Sequence, residues 1–199
     1  ALLANGQAIA LDEKMLITFA GWRALLETLR ERLAAYHKQY PLRAGMPREE
    51  LKSRLGLGTR VFDLAITRAA VENVVADSSA SVRLAAHSVR FLPAQEVMVA
   101  QLLAALEKNR FSPPSYDECV AMAGADVLAA LIEQGRVVRV SESVVFAASA
   151  YNEMVARIRA QLEKQGSITV AQVRDMFNAS RKYALGLMEH LDDIKLTRR

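Results

Sequence analysis

One cysteine in 199 residues, Cys119, excludes a disulfide framework and points to a reducing compartment, so a cytoplasmic protein is expected. The three histidines, His37, His87 and His190, are scattered. No His-Glu-x-x-His or Cys-x-x-Cys spacing exists to hold a metal. No Gly-x-x-x-x-Gly-Lys loop is present to cradle a nucleotide, and Gly56-Leu57-Gly58 reads as a turn between helices. Cys119, next to Val120 and Met122, reads as an inert core thiol, and Asp192-Asp193 as a solvated turn at a helix end. No apolar run approaches the roughly 18 to 20 residues of a membrane span, and residues 1–10 lack the basic start of a signal peptide. No enzymatic activity, metal or cofactor is therefore expected. The function to look for is binding.

What is present is a foldable chain: 52% of residues are apolar and 24% charged. The net charge of +4 is unevenly spread, with +4 over residues 1–92, −3 over 93–150 and +3 over 151–199. A basic end beside an acidic middle suits a scaffold with one cationic working tip rather than nucleic-acid contact along the whole length. The chain begins without methionine and stops on Arg198-Arg199, and it reads as a piece of something longer.

The patterning is mostly helical and it repeats. Trp22, Leu25, Leu26, Leu29, Leu33 and Tyr36 form one stripe at spacings of three and four. Val97, Ala100, Leu103, Ala104 and Leu106 form a second, and Tyr151, Met154, Val155, Ile158 and Leu162 a third. Each long helix is followed by a shorter one with its own start signal. These are Pro47 with Glu49 and Glu50, Ser115 with Glu118, and Thr169 with Gln172. Third helices are predicted near Arg60–Glu72, Asp126–Gln134 and Ser180–Leu191. Each leads into a β-branched stretch: Val74-Val75 with Ser81–Leu92, Arg136–Ala147, and Ile194–Arg199. Leu3 to Gln7 reads as the end of a helix, with hairpin strands at Ala8–Leu11 and Met15–Phe19.

The unit is three helices and a two-stranded wing, with second-helix starts near 47, 115 and 169. The predicted fold is mainly α with small β-hairpin wings, an elongated tandem of winged-helix modules. The end of module one spans 1–21, module two 22–92, module three 93–150, and module four, truncated in its wing, 151–199. No Gly/Ser linker separates them, so fixed relative orientations are expected.

The last module carries the chemistry. Ala184, Leu187, Met188 and Leu191 form the buried stripe of its third helix, and Ser180 is a natural N-cap. At about 100° per residue, Lys182 points away from that stripe and Arg181 sits at its margin. Two cations in a first turn oppose the helix dipole, and a bound phosphate would reverse the sign. The alternative is solvated decoration. Tyr183 offers a flat ring that either stacks on an unpaired base or packs into the core. Lys195, Arg198 and Arg199 add cations on the expected wing.

Ser180-Arg181-Lys182-Tyr183-Ala184-Leu185, with Leu187, Glu189-His190-Leu191-Asp192 and Thr197-Arg198-Arg199, resembles the last winged helix of the bacterial selenocysteine-specific translation elongation factor SelB. Residues 40–51, Tyr-Pro-Leu-Arg-Ala-Gly-Met-Pro-Arg-Glu-Glu-Leu, are similar to the family's second winged helix, and Phe111-Ser112-Pro113-Pro114 to the start of its third. The resemblance implies a tail that binds an mRNA stem-loop, the selenocysteine insertion hairpin. Its RNA-binding residues would be Arg181 first, then Ser180, Lys182, Tyr183, Arg198 and Arg199, with Lys195 weaker. It also implies an N-terminal GTPase, using GTP and Mg, that brings selenocysteyl-tRNA to the ribosome and is absent here. A monomer is expected. Two departures stand out: the family's wing continues past Thr197-Arg198-Arg199, and Gly186 sits mid-helix, at a cost of up to about 1 kcal/mol against Ala.

Two other readings compete. A DNA-binding tandem winged-helix regulator would need basic third helices in more than one module, yet Asp126–Gln134 contains no Lys or Arg. A protein-interaction scaffold suits the acidic middle.

Overall fold

The computed structural model describes residues 7–198, which divide into two compact units meeting at Arg90 and Phe91. The expected helix end at Leu3–Gln7 falls largely on residues 1–6 and lies outside the described residues.

In the first unit, β1 (Ala8–Ala10) and β2 (Leu16–Thr18) pair antiparallel with Ile9 opposite Ile17. The chain then enters α1 (Phe19–Gln39), where the Thr18 side chain accepts the Gly21 N–H at 3.0 Å. Trp22, Leu26, Leu29, Leu33 and Tyr36 of α1 are buried as the spacing predicts, with Leu25 at the edge. The second helix is α2 (Arg48–Leu55), closed by Gly56 in the left-handed region, and the third is α3 (Thr59–Val71). The wing has three strands where two were predicted: β3 (Met46–Pro47), β4 (Val75–Asp77) and β5 (Ser81–Leu84), in the order β3-β5-β4. A two-residue strand leaves no alternation to read. Gly45 makes this pairing possible, because a Cβ there would lie 2.8 Å from the Val82 carbonyl oxygen.

The predicted strand Ser81–Leu92 ends early, at Leu84. Beyond it the Arg83 guanidinium donates to the carbonyls of Leu84, Ala85 and His87, at 3.3, 3.2 and 2.7 Å, curling the chain.

The second unit contains two helix trios. The first is α4 (Pro93–Lys108), α5 (Tyr116–Ala123) and α6 (Ala125–Glu133), with wing strands β6 (Val137–Arg139) and β7 (Val145–Ala147) pairing Val138 with Phe146. Strand β7 runs directly into α7 (Ala148–Gln165), followed by α8 (Val170–Phe177) and α9 (Arg181–Asp193). Both predicted capping boxes form, Ser115 with Glu118 and Thr169 with Gln172.

The expected α4 stripe is displaced. Val99, Leu102 and Leu106 are buried, whereas Val97, Ala100 and Ala104 face solvent. Alanines weigh little in the periodicity, and the two in the expected stripe, Ala100 and Ala104, drew the reading off by two residues. The expected β-branched wing stretch Ile194–Arg199 forms no strand in its described part, residues 194–198. The chain turns instead, with Lys195 at φ +59° and the amides of Leu196 and Thr197 returning to the Leu191 carbonyl. A lone strand without a partner satisfies none of its backbone groups.

Gly186 is buried where α9 crosses the β6–β7 turn. An added Cβ would meet Ser141 and Val144 at 3.5 to 3.8 Å, ordinary contact. Gly186→Ala should therefore stabilise the chain by roughly 0.5–1 kcal/mol in urea unfolding, through helix propensity, while Gly186→Val should destabilise it by overpacking.

His37, near the end of α1, is buried and stacks on His87 with ring centres 3.6 Å apart. Its Nε2 accepts the Leu84 N–H at 3.2 Å, so the ring is neutral with its proton on Nδ1, which has no partner. Burial, then the charges of His87 and Arg83, push its pKa down to about 4. The unfolded chain takes up that proton near pH 6.5 and the folded chain only near 4, so stability should fall as pH drops through this window. The contribution of His37 should change no further below it. The loss should reach up to about 3 kcal/mol at 1.36 kcal/mol per pKa unit. Unfolding followed by the single tryptophan, Trp22, checks this, and His37→Gln should flatten the profile.

Candidate nucleic-acid interface

Helix α8 ends at Asn178, which adopts the left-handed conformation at φ +48°, and buried Ala179 carries the chain to Ser180. Ser180 has the extended backbone of an N-cap, φ −76° and ψ 162°, but its hydroxyl makes no capping bond. The amides of Tyr183 and Ala184 turn back to the Ser180 carbonyl at 3.1 and 3.2 Å. No acid lies in the first turn of α9, so its positive dipole end is uncompensated.

Burial of Ala184, Leu187, Met188 and Leu191 fixes the rotation of α9 and leaves Arg181 and Lys182 exposed, as the stripe predicted. Among the described residues Arg181 faces no carboxylate within ion-pair distance. The Lys182 ammonium lies 5.8 Å from the centre of the Tyr183 ring. Across from it, the amide and hydroxyl of Ser115, and then Lys182, hold the Glu118 carboxyl below the usual range.

Tyr183 is half-buried, with its ring edge-on to Phe146 at 6.1 Å and its hydroxyl donating to the Pro113 carbonyl at 2.6 Å. Burial raises its pKa first, and the charge of Glu118 second. The structure thus supports the packing alternative for this ring.

The remaining predicted cations are elsewhere. Lys195 and Arg198 follow the C-terminal end of α9, about 20 Å along its axis from Arg181 at 1.5 Å per residue. They line an open cavity of about 750 Å³ together with Glu189, Asp192, Asp193 and Thr197. Arg199 lies outside the described residues. The predicted set therefore separates into a start-of-helix cluster, Ser180 to Tyr183, and a mixed-charge end.

The corresponding helices of the other trios differ. On the first unit, Arg48 binds Asp63 at 2.6 Å and Asp77, Arg60 binds Asp12 at 2.8 Å, and Arg68 binds Glu72 at 2.7 Å. Glu72 also receives the Trp22 indole N–H at 3.1 Å, so these charges hold that unit together. The sequence did not reveal the Arg48 clamp, because its partners lie 15 and 29 residues away. Helix α6 carries Asp126 and Glu133 and no cation.

The single cysteine is not poised as a nucleophile. The Cys119 thiol is buried, donates only to the Pro114 carbonyl at 3.6 Å, and is pushed up to about 11 by burial and Glu118. Among the described residues no three His, Cys, Asp or Glu side chains converge as metal ligands, and no helix is long and apolar enough to cross a membrane. Cys119 should accordingly resist iodoacetamide at pH 8 in the folded chain and react within minutes once urea exposes it, read by mass spectrometry.

Residues 30–84 and 160–199 each match a family model described as elongation factor SelB, winged helix. A curated relative, the selenocysteine-specific elongation factor of Desulfomicrobium baculatum, is 27% identical over 177 residues. That match takes in 85% of this chain, and the chain spans only 28% of the relative. Among solved structures, a bacterial selenocysteine-specific elongation factor EF-Sec is similar at 16% identity and a TM-score of 0.49, covering 99% of this chain and 32% of that one. The mRNA-binding domain of elongation factor SelB from E. coli, solved in complex with SECIS RNA, is similar at 22% identity and a TM-score of 0.40. It covers 55% of this chain and 93% of that one.

Proposed function

We propose that this chain, whose segments 30–84 and 160–199 belong to the SelB winged-helix family, is the mRNA-hairpin-binding tail of a selenocysteine-specific elongation factor. The observation that carries the reading is the start of α9: two cations on unsatisfied helix amides, with no acid in the turn, inside a segment the family model matches. Such a site takes phosphate, and its exposed rim suits a backbone that bends sharply around a loop or bulge. Base edges of paired RNA are buried in a deep groove, so selectivity comes from the shape of the unpaired part and from the phosphates around it.

The chain works by binding and not by chemistry, with no cofactor of its own. The first trio of the second unit and the whole first unit connect the RNA grip to a GTPase part carrying selenocysteyl-tRNA. Through that part the protein meets the ribosome in the cytoplasm. A DNA-regulator reading is weakened by the arginines around α3, which are held by Asp12, Asp63, Asp77 and Glu72.

Filter binding of the chain to an RNA hairpin with a bulged base, the same hairpin fully paired, and duplex DNA of equal length tests the assignment. The bulged hairpin should bind best. Arg181→Ala should weaken it by about 1–3 kcal/mol, and the logarithm of affinity should fall linearly with that of salt. Arg60→Ala on α3 should change it less than about twofold. Equal binding of all three nucleic acids, or indifference to Arg181→Ala at fixed salt, sinks the reading.

A further inference from the structure

We infer that Tyr183 is a positioning residue whose hydroxyl latches α9 to the Pro113 carbonyl of the neighbouring trio, setting the pose in which Arg181 and Lys182 meet their ligand. This rests on the RNA-binding reading for the ligand, and on geometry alone for the latch. The hydroxyl donates to the Pro113 carbonyl at 2.6 Å, a contact 70 residues apart in sequence. Pro113 is itself buried and lies two residues before Ser115, the cap of α5. The latch therefore ties the start of the basic helix to the start of α5, a helix whose own first turn is rigidified by the Ser115–Glu118 box.

Neighbouring contacts agree. The Tyr183 ring meets Phe146 of β7 at 6.1 Å, Phe111 meets Phe177 of α8 at 5.0 Å, and Arg110 pairs with Glu153 of α7 at 2.7 Å. Gly186, one turn further along α9, passes the β6–β7 turn. Tyr183 is the member of this set that directly follows the Arg181-Lys182 pair in sequence. Its hydroxyl already has an acceptor and one ring edge a neighbour, so base stacking would have to displace an ordered side chain. Lys182, lying over the same ring, is held in place by it.

Tyr183→Phe in the full chain separates the possibilities, because it keeps the ring and removes the hydroxyl. Three quantities are read: affinity for the bulged RNA hairpin across a salt series, the melting midpoint, and the distance between spin labels at Ala121→Cys and Ala171→Cys, exposed positions on α5 and α8. The expected result is about a 3- to 10-fold loss of affinity, as for one net hydrogen bond, at unchanged salt slope. The distribution of label distances should broaden, and the midpoint should fall by about a few degrees, as for the loss of one internal hydrogen bond. Lys182→Ala, by contrast, should lower the slope by about one ionic contact.

Wild-type affinity in Tyr183→Phe overturns the latch. A loss of affinity at unaltered label distance also overturns it, by placing the hydroxyl on the RNA itself. If the wild-type chain binds no hairpin, the RNA reading fails separately, and the label distance alone decides whether the latch exists.

Discussion

The burial of one apolar stripe governs what this protein presents to its surroundings. Ala184, Leu187, Met188 and Leu191 of α9 enter a core with Phe146, Met154, Ile158, Val173 and Phe177, and all but Met188 and Phe177 of these nine are essentially inaccessible. At about 25 cal/mol per Å² of apolar surface, such burial outweighs the few tenths of a kcal/mol that each cation costs at a positive helix end. The stripe fixes the rotation of the helix, and the rotation fixes that Arg181 and Lys182 face outward. Their exposure follows from packing on the opposite face, so the binding surface and the fold share one cause.

Charge is used in opposite ways along the chain. Around α3, arginines meet carboxylates from α3 itself, the β4 strand and the β1–β2 hairpin, and a half-buried guanidinium between two acids holds its proton more tightly despite the cost of burial. A cation so engaged has little left to offer a phosphate, whose approach would also meet the acids beside it. At α9 the acids are missing from the first turn, and Glu118, whose carboxyl feels the charge of Lys182, belongs to another helix and to its own capping box. The number of basic residues on a helix says less about nucleic acid than which of them lack an internal partner.

Periodicity and capping chemistry made most helices legible. The Ser115–Glu118 and Thr169–Gln172 boxes mark α5 and α8 to the residue, and the outward placement of Arg181 and Lys182 follows from the stripe below them. What stayed hidden was non-local or weakly coded. Strand β3 is two residues long and exists because Gly45 lets the backbone approach Val82. The α4 face was obscured by alanines, which are nearly neutral between core and surface. The Arg48 clamp and the bond from Tyr183 to Pro113 join residues 15 to 70 positions apart, and no local pattern encodes them. Sequence alone puts Lys195 and Arg198 on a returning wing strand beside the helix start. The described chain turns at Leu196 instead, so they stay at the far end among acids.

The start of α9 is a place where folding and binding pull in opposite directions. Ser180 is set in the N-cap conformation but gives no capping bond, and the first turn holds two cations where stability favours acids. A sequence selected for helix stability alone would place Asp or Glu at these positions, as α5 does with Asp117 and Glu118. An anion arriving at α9 supplies at once what the helix lacks: an acceptor for the free amides, a counter-charge for the dipole and partners for both side chains. The destabilisation left in the unbound turn is then part of the driving force for binding, since it is relieved only in the complex. The same turn placed on a loosely held helix would lose that advantage to the entropy of ordering it, which is why a rigid support from the neighbouring trio matters as much as the cations.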